Sequence, residues 1–465
     1  MSENQAQNLP VGRNLKIGLF HLGSGMADVM ATGVWNRIMI SDLGFAATPV
    51  GLLVSLRYFL APLGVWAGRM SDRRAVGGYR RLFWIWLGRA MMALSLVGLG
   101  LITAELARGT VATVVTWAAI SLAMLLFSLG NALSGSTFLA LVYDRAPQHQ
   151  RGRAVGLVWT FLLLGFTVGG IMFGVLLPTD EDPATAITFS PDTLQTLFVV
   201  AGLVMAALWF FSLLGEERRS SGAAARPSES EYTTTLRADL GLVWKNRRLR
   251  FFMVYLGLSM LFAFSQDLIL EPFAGDVFGM SAEHTNRFAA YWGSMAIVGT
   301  LLFLWLSRRF KWLTNTVMSY IGVGILTVTF ALFAYAGVAE LRGLITPGLI
   351  LLGFGLGLWN VGTLGLMMDM SPLGRAGTFL GFWTLVVTLA RGVGVSGGGI
   401  LRDLMLTATG DLTLSYVAVF ALGTLGLAAA LWALTRVRVR VFQAETAAAP
   451  SSRAEPAAIF ANALD

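Results

Sequence analysis

The sequence predicts an all-α integral membrane protein with twelve transmembrane helices. Three observations lead there: apolar runs recur along the chain, basic residues gather on alternate connections, and the second half repeats features of the first. The chain has 465 residues, 55% of them hydrophobic and only 13% charged. A hydrocarbon layer of about 30 Å takes roughly 20 apolar residues to cross as a helix. Runs of that kind lie near 17–40, 48–67, 82–103, 112–141, 154–177, 193–214, 251–270, 287–306, 313–337, 343–367, 377–400 and 413–435. The 53 glycines suit close helix packing in a bilayer. With no cysteine, disulfides, thiol catalysis and cysteine metal sites are excluded.

The elements follow in order. Residues 1–16 have no apolar core, so no cleaved signal is expected and they read as a cytoplasmic N-terminal segment. Residues 17–214 form the first group of six spans. The longest polar interruption, 215–250, reads as a cytoplasmic linker, and 251–435 holds the second six. Residues 436–465 are rich in Ala, Pro and Ser and are expected to be a disordered cytoplasmic tail. Charge gives the orientation. The termini and even-numbered connections carry 26 of the 34 Lys and Arg, and the odd connections carry four. Basic residues favour the cytoplasmic side, so both termini are expected there. The net charge of +8 is thereby a topological signal, and no nucleic acid partner is expected.

The halves resemble each other. RNLKIGLFHLG (13–23) aligns with RRLRFFMVYLG (247–257), placing His21 opposite Tyr255 and Gly23 opposite Gly257. DRAPQHQRGRAVG (144–156) aligns with DMSPLGRAGTFLG (369–381). Two similarly oriented six-span repeats imply two bundles about an axis along the membrane normal, as in major facilitator transporters. On that analogy spans 1, 4, 7 and 10 line a central cavity. GRMSDRRAVGGYRR (68–81) also resembles the facilitator loop pattern G-x-x-x-D-R-x-G-x-R-R with a short insertion. Its functional reading is a cytoplasmic latch of Gly68, Asp72, Arg73, Arg80, Arg81, Asp144, Arg151, Asp369 and Arg375, in which Asp72 caps a helix or pairs with an arginine across the bundle seam. The plainer reading is topogenic charge alone.

Span seven ends in QDLILEPFAGDVFGM (266–280). Gln266, Asp267, Glu271 and Pro272 are unusual so close to an apolar segment, because an ionised group in a span costs about 2.5–3.5 kcal/mol even on a lenient scale. Helical spacing places Asp267 and Glu271 on one face, and Pro272 is expected to end or kink the helix at the outer surface. The segment is either a polar mouth that grips a ligand or an interfacial cap. Asn36 and Arg37 end span one opposite it, which predicts an Arg37–Glu271 contact. Asp28, Arg57, Arg89 and Arg391 complete the intramembrane charges and are expected to pair, Asp28 with Arg57 first.

QDLILEPFAGDVFGMS resembles the signature Q-D-x-L-L-E-P-[YF]-G-G-x-V-F-x-M-S of the PucC and LhaA family, facilitator-like proteins of phototrophic bacteria. LFHLGSGMADVMATGVWNRIMISDLG (19–44) is similar to that family's first span, L-F-Q-x-x-x-G-M…L-N-R-V-M-I-x-E-L-G. The resemblance covers nearly all the membrane part. It implies a light-harvesting antenna assembly factor in the photosynthetic intracytoplasmic inner membrane, with bacteriochlorophyll as cargo. The implied partners are antenna polypeptides, membrane lipids and pigment-synthesis enzymes, and no firmly bound cofactor is expected. The chain departs from the pattern at His21, where the family has Gln, and at Ala274-Gly275, where it has Gly-Gly. A neutral imidazole can be an axial ligand to the magnesium of a chlorin. His21 therefore reads either as that ligand or as a helix-packing residue. His21, Asp28, Asn36, Arg37, Gln266, Asp267, Glu271 and Pro272 form the candidate pigment or cavity surface.

GFGLGL (353–358) and GVGVSGGG (392–399) follow no strand, so they read as packing glycines and not as nucleotide loops. No nucleophile–base pattern or metal-spaced cluster points to an enzyme. The alternative function is a proton-coupled secondary transporter of a small solute or lipid, with Asp28 or Asp267 as proton carrier.

Overall fold

The computed structural model describes residues 10–73, 75–146, 151–176, 190–217, 244–371 and 376–448, and they are all-helical apart from turns and one isolated bridge, Val76–Tyr79. Helix α1 (Val11–Val29) continues through two π turns, Met30–Val34 and Ile38–Asp42, on either side of a single α turn, Trp35–Arg37. Helix α2 has two segments, Ala47–Phe59 and Ala61–Arg73. The restart coincides with Pro62, which has no N–H to give and is tolerated in a first turn. Helix α3 (Leu82–Arg108) stops at Gly109, whose φ of 67° is the left-handed conformation that favours glycine. Then come α4 (Thr113–Arg145), α5 (Arg151–Leu176) and α6 (Pro191–Phe211), the last capped by Ser190.

Helix α7 (Arg247–Ala263) is capped by Asn246, whose side chain accepts from the N–H groups of Arg248 and Leu249. It ends after 17 residues, short of the 251–270 span that hydropathy predicts. Residues 264–269 form turns, and a second helix, Leu270–Phe278, follows. Pro272 accounts for the break: in an uninterrupted helix its ring would clash with the carbonyl of residue 268. Here it sits in the first turn of the new helix. Pro272 thus follows the interruption and does not terminate span seven at the surface. The remaining helices are α8 (Phe288–Arg309), preceded by the short Ala282–Asn286, then α9 (Asn315–Val338), α10 (Ile345–Asp369), α11 (Ala376–Thr409) and α12 (Leu412–Val437). Ten of the described helices, α2 to α6 and α8 to α12 with their flanking turns, are long and apolar enough to cross a membrane. The two exceptions, α1 and α7, are the helices broken by π turns and by the Phe264–Ile269 segment.

Packing repeats between the halves. α1 lies against α5 and α6, α2 against α4, and α3 against α4 and α6; likewise α7 lies against α11 and α12, α8 against α10, and α9 against α10 and α12. Between the halves α2 meets α11 and α5 meets α8, so a two-fold relation carries each of these contacts onto another. Glycine lets the backbones approach. A Cβ on Gly25 would strike the Leu162 carbonyl, and one on Gly165 the Leu22 carbonyl, across the α1–α5 contact. Gly394 and Gly398 hold the same close approach to Leu261 and Ser265 across α7–α11, while Gly353 and Gly357 press on Trp292 and Ala296 of α8. Both glycine-rich stretches are helix-packing faces.

Candidate functional site

Where α1, α2, α7 and α11 converge, a chain of charged side chains lies inside the protein. Arg57 ion-pairs with Asp28, with only 4% of the Arg57 side chain exposed. Its guanidinium lies over the Tyr58 ring, 4.8 Å from the centroid. Arg391 faces the same ring from the other half at 5.1 Å, stacks on Phe264 at 3.9 Å, and pairs with Asp267 at 3.0 Å. Gln266 Nε2 donates to Asp267 Oδ1 at 2.7 Å. The order is thus Asp28, Arg57, Tyr58, Arg391, Asp267, with two anions, two cations and an aromatic ring at the seam. An unpaired ion here would be expensive, and pairing offsets the cost.

Nearer the end at which α1 meets α2 (here the Asp276 end), polar groups tie the halves together. Asn36 Nδ2 donates to the Leu268 carbonyl at 2.8 Å, and Arg37 Nη2 to the Met280 carbonyl at 3.2 Å. Ser41 donates to Asp276, which also accepts from the Tyr416 hydroxyl at 2.6 Å and lies 3.6 Å from Arg402 Nη2. Asp403 accepts from the N–H groups of Ala47 at 3.1 Å and Thr48 at 2.7 Å, so a residue of α11 caps the N-terminus of α2 in the other half. Sequence reasoning missed Ser41, Asp276, Arg402, Asp403 and Tyr416. The available signal was the neighbouring opposite charges of Arg402 and Asp403 beyond a glycine-rich span.

Several expected contacts do not form. Arg37 pairs with Asp42 at 2.8 Å and not with Glu271, because the π turn that follows Arg37 stacks residues five apart. Asp267 and Glu271 do not share a helical face: Asp267 lies in the turn segment and Glu271 in the helix after it. Glu271 is only 7% exposed, so it is no surface cap. Its carboxylate lies against the first π turn, where a Cβ on Gly33 would be 3.6 Å from Oε1, and Oε2 has no hydrogen-bond partner. Arg89 joins no ion pair among the described residues. Its guanidinium is held between the rings of Phe20 and Trp209, at 4.4 and 4.9 Å, and donates to Met92 Sδ at 3.1 Å.

His21 is buried in α1. Its ring centroid lies 4.8 Å from Phe138 and 6.0 Å from the edge-on Trp159, and Nδ1 has no partner. The repeat-related Tyr255 is fully buried and bonds Thr363 of α10 at 2.8 Å, so both positions face the fourth helix of their own half. The unpartnered imidazole nitrogen has the donor chemistry that an axial ligand to a chlorin magnesium needs, and it is enclosed by Phe20, Phe138 and Trp159.

At the opposite end, where the chain leaves α6 at residue 212 (the linker end), Asp72 pairs with Arg81 at 2.5 Å and approaches Arg80 at 3.8 Å, while Arg81 also reaches Asp144 at 3.1 Å. These bonds stay within the first half, so of the two roles expected of Asp72, capping a helix or pairing across the seam, the cross-seam pair does not form. Gly68 lies beside Ser136, and Asp369 accepts from Asn315 at 3.0 Å in the second half. Arg375 and the side chains of Arg73 and Arg151 lie outside the described residues. A cleft of about 880 Å³ opens between α8, α9 and α10, lined by Asn315, Asp369 and Arg440 among others.

The helix order and pairing define a class, the major facilitator-like transporter fold. Among solved structures, this chain is similar to a mutant of the nucleoside transporter NupG, with a TM-score of 0.69 and 14% identity over 92% of this chain and 100% of that one. It is also similar to a D-xylose–proton symporter, with a TM-score of 0.61 and 15% identity over 90% and 96% of the two chains. Within that fold the chain belongs to the PUCC protein family, whose model matches residues 34–442. It is 32% identical over 440 residues, 90% of each chain, to Protein PucC of Cereibacter sphaeroides. It is 29% identical to the bacteriochlorophyll synthase 44.5 kDa chain of Rhodobacter capsulatus, over 86% of this chain and 89% of that one.

Proposed function

We propose that this multi-pass membrane protein is a light-harvesting antenna assembly factor of a phototrophic bacterium. In this reading it handles bacteriochlorophyll, shepherds antenna polypeptides, or does both, within the photosynthetic inner membrane. The observation that carries the reading is the family match along most of the chain, with a relative whose name refers to bacteriochlorophyll. A phytylated pigment is membrane-soluble, so lateral handling within a leaflet is physically simpler than export into water. The protein then crosses the membrane twelve times as two six-helix bundles, 17–214 and 251–435, joined by a cytoplasmic linker, with both termini in the cytoplasm. Its partners are lipids, antenna polypeptides and pigment-synthesis enzymes, and it does no catalysis itself, despite the synthase in one relative's name. His21 is the proposed magnesium ligand, and the seam residues Asp28, Asn36, Gln266 and Asp267 the proposed cavity wall.

The test is an absorption spectrum of protein purified from its own phototrophic membranes in mild detergent, beside a His21→Ala variant. The expected result is a stoichiometric near-infrared bacteriochlorophyll band that the substitution removes. A band that survives keeps the function and rejects His21 as ligand. Antenna polypeptides without pigment mean a protein scaffold. Neither pigment nor antenna overturns the reading in favour of a second one, a proton-coupled transporter, which the fold of the solved neighbours favours.

A further inference from the structure

Glu271 is the anomaly of the Asp276 end. Every other charged group around it has a partner. On α1, Arg37 and Asp42 pair with each other. On the short helix Ala282–Asn286 and just beyond, Glu283 pairs with Arg287 at 2.5 Å, and His284 Nδ1 shares a hydrogen bond with Ser281. On α12, Tyr416 bonds Asp276, with Arg402 beside it. On its own segment, Asp267 is held by Arg391 and Gln266. Glu271 forms no salt bridge among the described residues and bonds only its own backbone N–H, and its Oε2 has no partner, although it is nearly buried and lies at the seam against the α1 π turn.

A buried carboxylate without a partner carries a large desolvation cost, and neutralisation by a proton removes most of it. The π turn is the kind of helix defect that recurs at functional sites. Gly33 presents no side chain to the carboxyl, and the cation beside it, Arg37, is bonded instead to Asp42 and to the Met280 carbonyl. The two carboxylates that sequence reasoning offers as proton carriers, Asp28 and Asp267, are both occupied by arginines.

We propose that Glu271 is a proton-binding site that controls closure of the Asp276 end. With its proton on, the neutral carboxyl lets the helix Leu270–Phe278 lie against the α1 π turn and the halves stay joined. Loss of the proton to water leaves a bare carboxylate at the seam. The bundle relieves it by parting at this end, which hydrates the charge. The sign follows directly: the closed form holds the proton, so closure is favoured at low pH and lost as pH rises.

The chain has no cysteine, so two introduced cysteines are the only sites for spin labels. Val111 and Leu341, 40% and 44% exposed in the loops after α3 and α9, place one label on each half at this end. The experiment measures the label–label distance in lipid nanodiscs as a function of pH. A single short distance at acidic pH should give way to a longer population as pH rises. Glu271→Gln should stay short throughout, with complete loss of the pH response, whereas Asp276→Asn should keep that response. Infrared titration supplies an independent readout: a protonated-carboxyl C=O band that disappears on raising pH in the wild type and is missing in Glu271→Gln. A wild-type distance and spectrum that do not change with pH, or a pH response that persists in Glu271→Gln, overturns the proposal.

Discussion

At the Asp276 end, side chains reach from one half of the molecule to the other; at the linker end, the ion pairs described stay within one half. Asn36 bonds Leu268, Ser41 bonds Asp276, and Asp403 caps α2. By contrast Arg13 and Lys16 share Glu216, Arg81 bridges Asp72 and Asp144, and Asn315 holds Asp369. The difference teaches where the molecule can hinge. A body tied at one end by buried hydrogen bonds between its halves can part at the other end without breaking these ion pairs. Each half is packed internally through its own glycine-mediated contacts, α1 with α5 and α7 with α11.

The largest effect is expected where the seam chain meets the first half. Arg57→Leu leaves Asp28 without its partner inside the membrane region, and removing one partner of a buried pair costs roughly 3–5 kcal/mol. Chemical unfolding in detergent should show that loss, and the double variant Asp28→Leu with Arg57→Leu should recover most of it. A double variant as unstable as the single one would mean that the pair is not what couples these positions.

Asp403→Ala tests the Asp276 end itself. It deletes a helix cap that crosses between halves, a loss of about 0.5–2 kcal/mol by the usual cost of an N-cap. It should also lengthen the separation of labels at Val111 and Leu341. Destabilisation without any change in separation would show that the cap serves α2 alone and does not hold the halves together.

How much of this was legible beforehand depends on the range of the contact. Hydropathy located the apolar helices because each span is a local property of some 20 residues. Asp28 with Arg57 was legible because sequential spans are often neighbours. Arg391 with Asp267 was not, since nothing local says that α11 packs on α7. The predicted Arg37–Glu271 contact failed on local geometry: ordinary helical spacing turns Asp42 away from Arg37, whereas the π turn brings the two together. Hydropathy is equally blind to the break after Ala263, because a window of about 20 residues averages Ser265, Gln266 and Asp267 with their apolar neighbours; those polar residues and Pro272 were the local hints. The Asp403 cap joins residues 355 positions apart, which no spacing rule reaches.

The smallest effect belongs to the linker end and completes the comparison. The side chains of Asp72 and Asp144 are 46% and 47% exposed, so water and salt screen their attraction to Arg81. Exposed pairs of this kind contribute about 0.2–1 kcal/mol. Asp144→Ala should therefore lower stability by no more than that, and the difference from wild type should shrink as salt is added. Label separation at the Asp276 end should not move, because none of the bonds around Arg81 crosses the seam. If Asp144→Ala instead changed that separation as much as Asp403→Ala does, the Arg81 cluster would be a latch between the halves after all, and the hinge drawn from the two ends would have to be abandoned.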